Sequence, residues 1–300
     1  MSNKNIIIVH DVLGTLFSLT KPTALVSSLF SSQLGGDSQP AVRARYAELV
    51  VMDWYHCGQR DFTNLSLNGS YTPIGQVFKA AINRVLLMSG LVPPELAEKE
   101  GGQVSEETLR EVRARAAKGE NVFGDIPDQM MATLPALESR PGMVEAFSKT
   151  YRSQELRPKS VGHVSLWGAT NGSLDLAGKL FNGALGQSGV QKQETQAKGD
   201  GYSVWSCDEI KVAKPDPRVY EAVKRKVLVG DGLKADDSSL WFVASHTWDT
   251  DAAKRAGFKT LWVSYEEFHP VSDLYLKPDL IAGDLNEGAR KILEWESQNV

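Results

Sequence analysis

The run Ile6-Ile7-Ile8-Val9 leads through His10 into Asp11, and a Gly14-Thr15 turn follows. Four consecutive β-branched residues read as a strand buried on both faces, as in a parallel sheet. The strand delivers a carboxylate to the C-terminal edge of that sheet, where open α/β folds bind their ligands. Held there beside a turn with backbone N–H groups, Asp11 is placed to act as a nucleophile. The plainer alternative is that Asp11 caps the turn.

The remaining apolar periodicity divides the chain. Between about 20 and 135 there is no strand signal. Residues 40–56 fit a helix opened by Pro40. A polar loop is expected over 58–72, and a second amphipathic helix over 74–89, ended near Gly90. Ser105 is the N-cap of a third. From Pro141 onward, strand candidates at 163–169, 203–207, 240–245 and 260–264 alternate with helical segments. That alternation predicts βαβ units and a parallel sheet. The expected organisation is a Rossmann-like α/β core of residues 1–18 and 136–300, with an all-helical domain of residues 19–135 inserted. Residues 183–201, rich in Gly, Gln, Lys and Ser, read as an exposed loop.

The net charge of −4 gives no reason to expect nucleic acid or an anionic membrane as partner. An anionic substrate has to be captured by local cations. No apolar run approaches the roughly 18 residues that span a bilayer. The chain runs directly into its first strand, so no signal peptide is expected. Cys57 and Cys207 lack metal-ligand spacing and suggest no disulfide framework. The expected setting is cytoplasmic and reducing.

Three later segments place polar groups where strands end. Thr170-Asn171-Gly172-Ser173 offers a hydroxyl and an amide for a substrate carboxylate or phosphoryl oxygen, or merely a helix cap. In Lys214-Pro215-Asp216-Pro217-Arg218-Val219-Tyr220, two prolines fix the backbone after Lys214, so its ammonium can pair with a carboxylate. Lys211 lacks that proline and reads as solvated. In Ser245-His246-Thr247-Trp248-Asp249, Asp249 can orient or deprotonate a water and Trp248 can wall off an apolar pocket. Asp251 reads as a helix residue facing solvent. His10 should face away from Asp11 by strand alternation.

Taken together, D-x-x-G-T-L-F at Asp11, T-N-G-S at Thr170, K-P-x-x-R-V-Y at Lys214 and V-x-S-x-x-W-D ending at Asp249 resemble the haloacid dehalogenase (HAD) superfamily. The resemblance is strongest to the (S)-2-haloacid dehalogenases. Phosphatases of the superfamily have a second Asp where Leu13 stands and a further Asp where Ser245 stands. Mg²⁺ wants several hard oxygens, so a metal-dependent phosphatase is disfavoured and no cofactor is expected. In the helical insert, Val42-Arg43-Ala44-Arg45-Tyr46-Ala47-Glu48 resembles the cap segment that supplies the halide- and carboxylate-facing arginine, and the match falls on Arg43.

The resemblance implies that Asp11 attacks the halogen-bearing carbon and forms an ester. Arg43 and Trp248 would receive the halide, and Thr170 and Asn171 would hold the substrate carboxylate. Lys214 would keep Asp11 ionised, and Asp249 would activate the hydrolytic water. Leu13, Ser245, His246 and Tyr220 are further candidates for lining the substrate site. The substrate is then a small carboxylate or carbonyl compound, and a homodimer is compatible with the resemblance. The chain departs from the family pattern at Leu13 (usually Tyr), His246 (usually Asn), Ala244 (usually Ser) and Ala47 (usually larger). These departures suggest a roomier pocket. They leave open cleavage of a carbon–carbon bond in a 1,3-diketone, or a non-catalytic binding role. His246 reads equally as a second acid/base group or as a helix-start residue.

Overall fold

The computed structural model describes residues 4–36, 38–159, 161–186, 202–230 and 238–299. The chain divides into two compact units, Met1–Ser18 with Glu138–Val300, and Leu19–Leu137. In chain order the elements are β1 (Lys4–Asp11), α1 (Thr20–Leu29), α2 (Pro40–Leu67), α3 (Ile74–Met88), α4 (Pro94–Lys99), α5 (Glu106–Ala117) and α6 (Ile126–Ala132). They continue with α7 (Met143–Ser148), β2 (Val161–Thr170), α8 (Leu174–Leu185), β3 (Tyr202–Ser206), α9 (Pro217–Gly230) and β4 (Ser238–Ala244). The last are α10 (Thr247–Arg255), β5 (Lys259–Val263), β6 (Leu280–Ala282) and α11 (Leu285–Gln298).

The first unit is an α/β domain. Its six strands lie in the order β3-β2-β1-β4-β5-β6, and every pairing is parallel. β1 is central. Ile6 pairs with Val164 on one side and Ser239 on the other. Ile6 to Val9 are fully buried, each contributing on the order of 2 kcal/mol of apolar burial. Ile7 and Val9 point into a cluster with Val219, Tyr220, Val223, Phe242 and Phe258. His10 points to the other side, where its ring meets Phe147 at 4.8 Å. Parallel pairing aligns the strand ends, so Asp11, Thr170, Ser206 and Ala244 fall along one edge of the sheet. β6, only three residues long, gave no signal in the sequence.

A tight turn follows β1. Gly14 adopts φ 88°, a conformation that favours glycine. The Leu16 N–H closes the turn on the Val12 carbonyl at 2.8 Å. Leading out of it, Phe17 bridges Ser139 in antiparallel fashion. The Ser18 N–H donates to the Glu138 carbonyl at 2.9 Å and the Arg140 N–H to the Leu16 carbonyl at 2.8 Å. The core thus clasps the two chain segments that lead out of it and back.

Among its described residues the second unit consists of helices joined by turns, with no strand. The loop expected over 58–72 is corrected by the structure, because α2 continues to Leu67. Its polar residues face outward, while Trp54, Tyr55, Gly58 and Phe62 form a continuous buried stripe. Gly58, which reads as a helix breaker, is there for packing. A Cβ on it would lie 2.2 Å from the Phe78 ring. The Trp54 indole N–H donates to the Phe78 carbonyl at 2.8 Å and locks the same contact. Ser105 caps α5 as expected, accepting the Thr108 N–H. Most of the loop expected over 183–201 lies outside the described residues, and Leu185 ends α8.

Candidate active site

At the C-terminal edge of the core sheet, one ammonium joins two carboxylates. Lys214 Nζ lies 2.8 Å from Asp11 Oδ1 and 2.8 Å from Asp249 Oδ2. The Lys214 side chain is 1% exposed and that of Asp249 0%, whereas Asp11 keeps 11% of its side-chain surface. The carboxylate that remains accessible is therefore the one at the end of β1. Burial alone would discharge Lys214, but Asp11 and Asp249 together hold its affinity for a proton above the ordinary lysine value. Burial, reinforced by the charge of Asp11, holds Asp249 above the ordinary carboxylate range against the pull of Lys214 and Tyr220. A raised pKa makes Asp249 a better proton acceptor than a solvated carboxylate.

Each member of this triad is braced by its neighbours. The Thr15 hydroxyl donates to Asp11 Oδ2 at 2.8 Å. It also accepts the Ser245 N–H at 2.9 Å and lies 3.1 Å from the Ser245 hydroxyl. Ser245, expected to line the substrate site, is fully buried and serves this brace instead. Tyr220 is corrected in the same way. It has no exposed surface, and its hydroxyl donates to Asp249 Oδ1 at 2.5 Å. That bond braces Asp249. The Asn171 side-chain carbonyl accepts the backbone N–H of Lys214 at 3.0 Å, which fixes the loop presenting the ammonium. Thr170, 4% exposed, accepts the Gly172 N–H at 2.9 Å, while Ser173 rather than Thr170 caps α8.

The core unit thus brings together Asp11, Lys214, Asp249, Thr170, Asn171, Tyr220, Ser245 and His246. Leu13 is half-buried on the turn after β1. Trp248 stacks on His246, with centroids 5.3 Å apart and planes at 29°. Arg43 belongs to the helical unit, half-buried on α2, with its guanidinium 3.5 Å from the Gly36 carbonyl. Arg45 is exposed and pairs with Glu48. Lys211 is exposed as expected. Asp251 is not left to solvent, because it pairs with Arg255 and accepts the Leu276 N–H at 2.8 Å. Burial pushes the Cys207 thiol up to about 12, which leaves it unreactive.

Sequence reasoning missed a second layer. Glu266, on the loop after β5, has 2% of its side chain exposed and lies 3.5 Å from His246 Nε2. Arg140 donates to Glu266 at 2.5 Å and to the Gly14 carbonyl at 3.2 Å, and lies 4.8 Å over the Tyr265 ring. The Tyr265 hydroxyl donates to the Thr15 carbonyl. Glu267 accepts both the N–H and the hydroxyl of Thr247 at 2.8 Å. No spacing motif announces these residues. The only signal is that Tyr265-Glu266-Glu267 follows the end of a buried strand, as the other site segments do.

The donor set at this edge is poor in oxygens for a divalent cation. Leu13 offers no oxygen, Ser245 is turned toward Thr15, and Lys214 already holds a positive charge between Asp11 and Asp249. These residues do not fit an oxygen-rich Mg²⁺ shell.

No protein-family model matches the chain. It is 34% identical over 82 residues to (S)-2-haloacid dehalogenase 2 of Pseudomonas sp. strain CBS-3, covering 27% of this chain and 33% of that protein. It is 39% identical over 66 residues to the (S)-2-haloacid dehalogenase of Pseudomonas sp. strain YL, covering 22% and 26%. The matched stretches therefore span a third or less of these relatives. Among solved structures, an L-2-haloacid dehalogenase superposes with a TM-score of 0.62 at 19% identity, over 98% of this chain and 99% of that one. The L-2-haloacid dehalogenase from Xanthobacter autotrophicus, with chloropropionic acid covalently bound, gives 0.59 at 17% identity over 95% and 97%. The fold is the haloacid dehalogenase fold, and the chain is haloacid dehalogenase-like in its architecture and in part of its sequence.

Proposed function

We propose that this protein is a metal-independent hydrolase of 2-haloalkanoic acids that works through an ester on Asp11. The observation that carries this reading is the shared ammonium. Lys214 sits between one nearly sealed carboxylate and one accessible carboxylate, and so splits a pair of like residues into two roles. Asp11, paired with Lys214 and open to substrate, attacks the halogen-bearing carbon. Asp249, sealed and held above the usual carboxylate range, takes a proton from the water that opens the ester. A departing halide needs no proton, which suits Leu13 at a position where an acid would otherwise be required. Thr170 and Asn171 are the candidate partners of the substrate carboxylate, and Trp248 is a candidate wall for the halide. Arg43 is proposed as the cation from the helical unit, which would serve as a cap. The sequence similarity to (S)-2-haloacid dehalogenases supports this chemistry, with a small-molecule substrate and no nucleic acid or membrane partner. Among the described residues no helix is long and apolar enough to cross a membrane.

The test is halide release from racemic 2-chloropropionate and 2-bromopropionate with excess chelator present. The expected outcome is consumption of one enantiomer, no effect of chelator, and loss of at least about 10⁴-fold in kcat for Asp11→Asn, consistent with removal of a covalent nucleophile. Turnover retained by folded Asp11→Asn, or a strict Mg²⁺ requirement, overturns the mechanism.

A further inference from the structure

His246 stands where the residues around it give it work. Its Nδ1 lies 3.9 Å from Asp11 Oδ2, and its Nε2 lies 3.5 Å from Glu266 Oε1. Glu266 is in turn held by Arg140, which also donates to the Gly14 carbonyl of the nucleophile's own turn. Within this array His246 and Glu266 are almost sealed, at 1% and 2% exposure, while Asp11 keeps 11%. The two oxygens of Asp11 are therefore not equivalent. Oδ1 faces the Lys214 ammonium, while Oδ2 faces Thr15 and His246.

Geometry decides which half of the reaction His246 can serve. In the displacement at carbon, the leaving halide departs on the side of the carbon opposite the attacking oxygen. A group beside the nucleophile is in the wrong place to meet it. In the hydrolysis that follows, the bonds that change are all at the Asp11 carboxyl group itself. The departing oxygen there becomes an alkoxide, a far stronger base than any halide, and it needs a proton.

We propose that His246, oriented by Glu266 and Arg140, is the general acid of the ester-hydrolysis step, donating a proton to Asp11 Oδ2 as that oxygen leaves with the product. The inference rests on the reading of Asp11 as a nucleophile that forms an ester. The step balances as follows. Oδ2 carries the alkyl group. Water attacks Cγ and loses one proton to Asp249, and the carbonyl electrons move onto Oδ1 beside Lys214. Collapse restores the C=O bond and breaks the Cγ–Oδ2 bond, and the imidazolium of His246 protonates the departing oxygen to give a 2-hydroxy acid. Asp11 now keeps Oδ1 and the oxygen from water. The acid proton left on it returns to His246, and the proton on Asp249 goes to solvent.

The charges around His246 agree with this role. Burial alone would neutralise the ring, but Glu266, with Asp11 and Glu267 beside it, holds its proton affinity above that of an ordinary histidine. Arg140, paired with Glu266, is the facing cation. Glu266 is a positioning residue that acts through His246.

The test uses the full chain and (S)-2-chloropropionate, with rapid-quench halide release and intact-mass measurement. The expected result for His246→Asn is a stoichiometric burst of chloride followed by turnover slowed about 100-fold or more, a typical loss for a missing general acid. The alkyl adduct should accumulate on Asp11. For Glu266→Gln, the loss of hydrolysis at rising pH should begin at a lower pH than in the wild type. Unchanged turnover in His246→Asn overturns this proposal alone, and so does a folded variant that has lost the burst. A wild type that releases no halide overturns the underlying reading as well.

Discussion

At the residue scale, burial distinguishes two carboxylates that share one ammonium. Asp11 and Asp249 share Lys214, yet only Asp11 retains surface. The polar residues gathered at the ends of β1, β2 and β4 were legible as candidates because each follows an apolar run. Tyr220, Ser245 and Glu266 were misread or missed because their roles depend on partners distant in the chain. The Tyr220 hydroxyl, for instance, is given meaning only by Asp249. His10 is next to Asp11 in the chain but faces away from it. Its ring lies 3.3 Å from the Trp167 carbonyl and 3.2 Å from the Tyr151 hydroxyl, on the far side of the sheet. Burial lowers its pKa from 6.5 to about 4. Above pH 6.5 the ring is neutral folded or unfolded, so it has no effect. Between 6.5 and 4 only the unfolded chain takes the proton, and stability falls with pH by about 3 kcal/mol in all. His10→Gln, which does not titrate, should flatten the stability–pH curve in that window. Urea midpoints with an unchanged slope would show that another group is responsible.

At the element scale, the two edges of the sheet do different work. The C-terminal edge holds the candidate site, and the N-terminal edge holds the last turns of α11. Buried Glu296 on that helix accepts the Trp241 indole N–H at 2.8 Å and Lys259 Nζ at 2.9 Å, and also accepts the Ser239 hydroxyl. Lys259 lies 4.0 Å over the Trp295 ring. Ser239 and Lys259 stand at the starts of β4 and β5, away from Asp11. Glu296→Ala is expected to cost at least about 2 kcal/mol, because it strands a partly buried ammonium and an indole N–H. Its kcat should stay within about twofold of the wild type. A fall in kcat matching the fall in stability would show that this edge communicates with the site. β1 and β4 were legible from apolar runs, and β2, β3 and β5 from their alternation with helical segments, whereas β6 and the end of α2 were not. Gly58 and the polar residues after it read as a loop until the Phe78 ring that demands a glycine is seen.

At the scale of the whole chain, the α/β core is assembled from two separated stretches, while the helical unit is continuous. The antiparallel clasp of Phe17 and Ser18 with Ser139 and Glu138 lies wholly within the core. Replacing residues 19–137 by a short Gly/Ser turn should therefore leave a folded core with the native strand order. If the helical unit supplies Arg43, that core should be inactive toward 2-chloropropionate. Far-ultraviolet circular dichroism and urea unfolding check the fold, and an unfolded product would mean that the core needs the insert. The position of β1 has another consequence. Ile6 to Val9 is the most apolar strand and leaves the ribosome before either of its partners, because Val164 and Ser239 lie far downstream. At roughly 5–20 residues per second, the nascent strand waits on the order of ten seconds or more for its second neighbour. Throughout that interval at least one edge of this β-prone segment stays uncovered, a state of the kind that nucleates aggregation. Translation speed and chaperone supply, as much as thermodynamic stability, should set how much of this protein a cell can make.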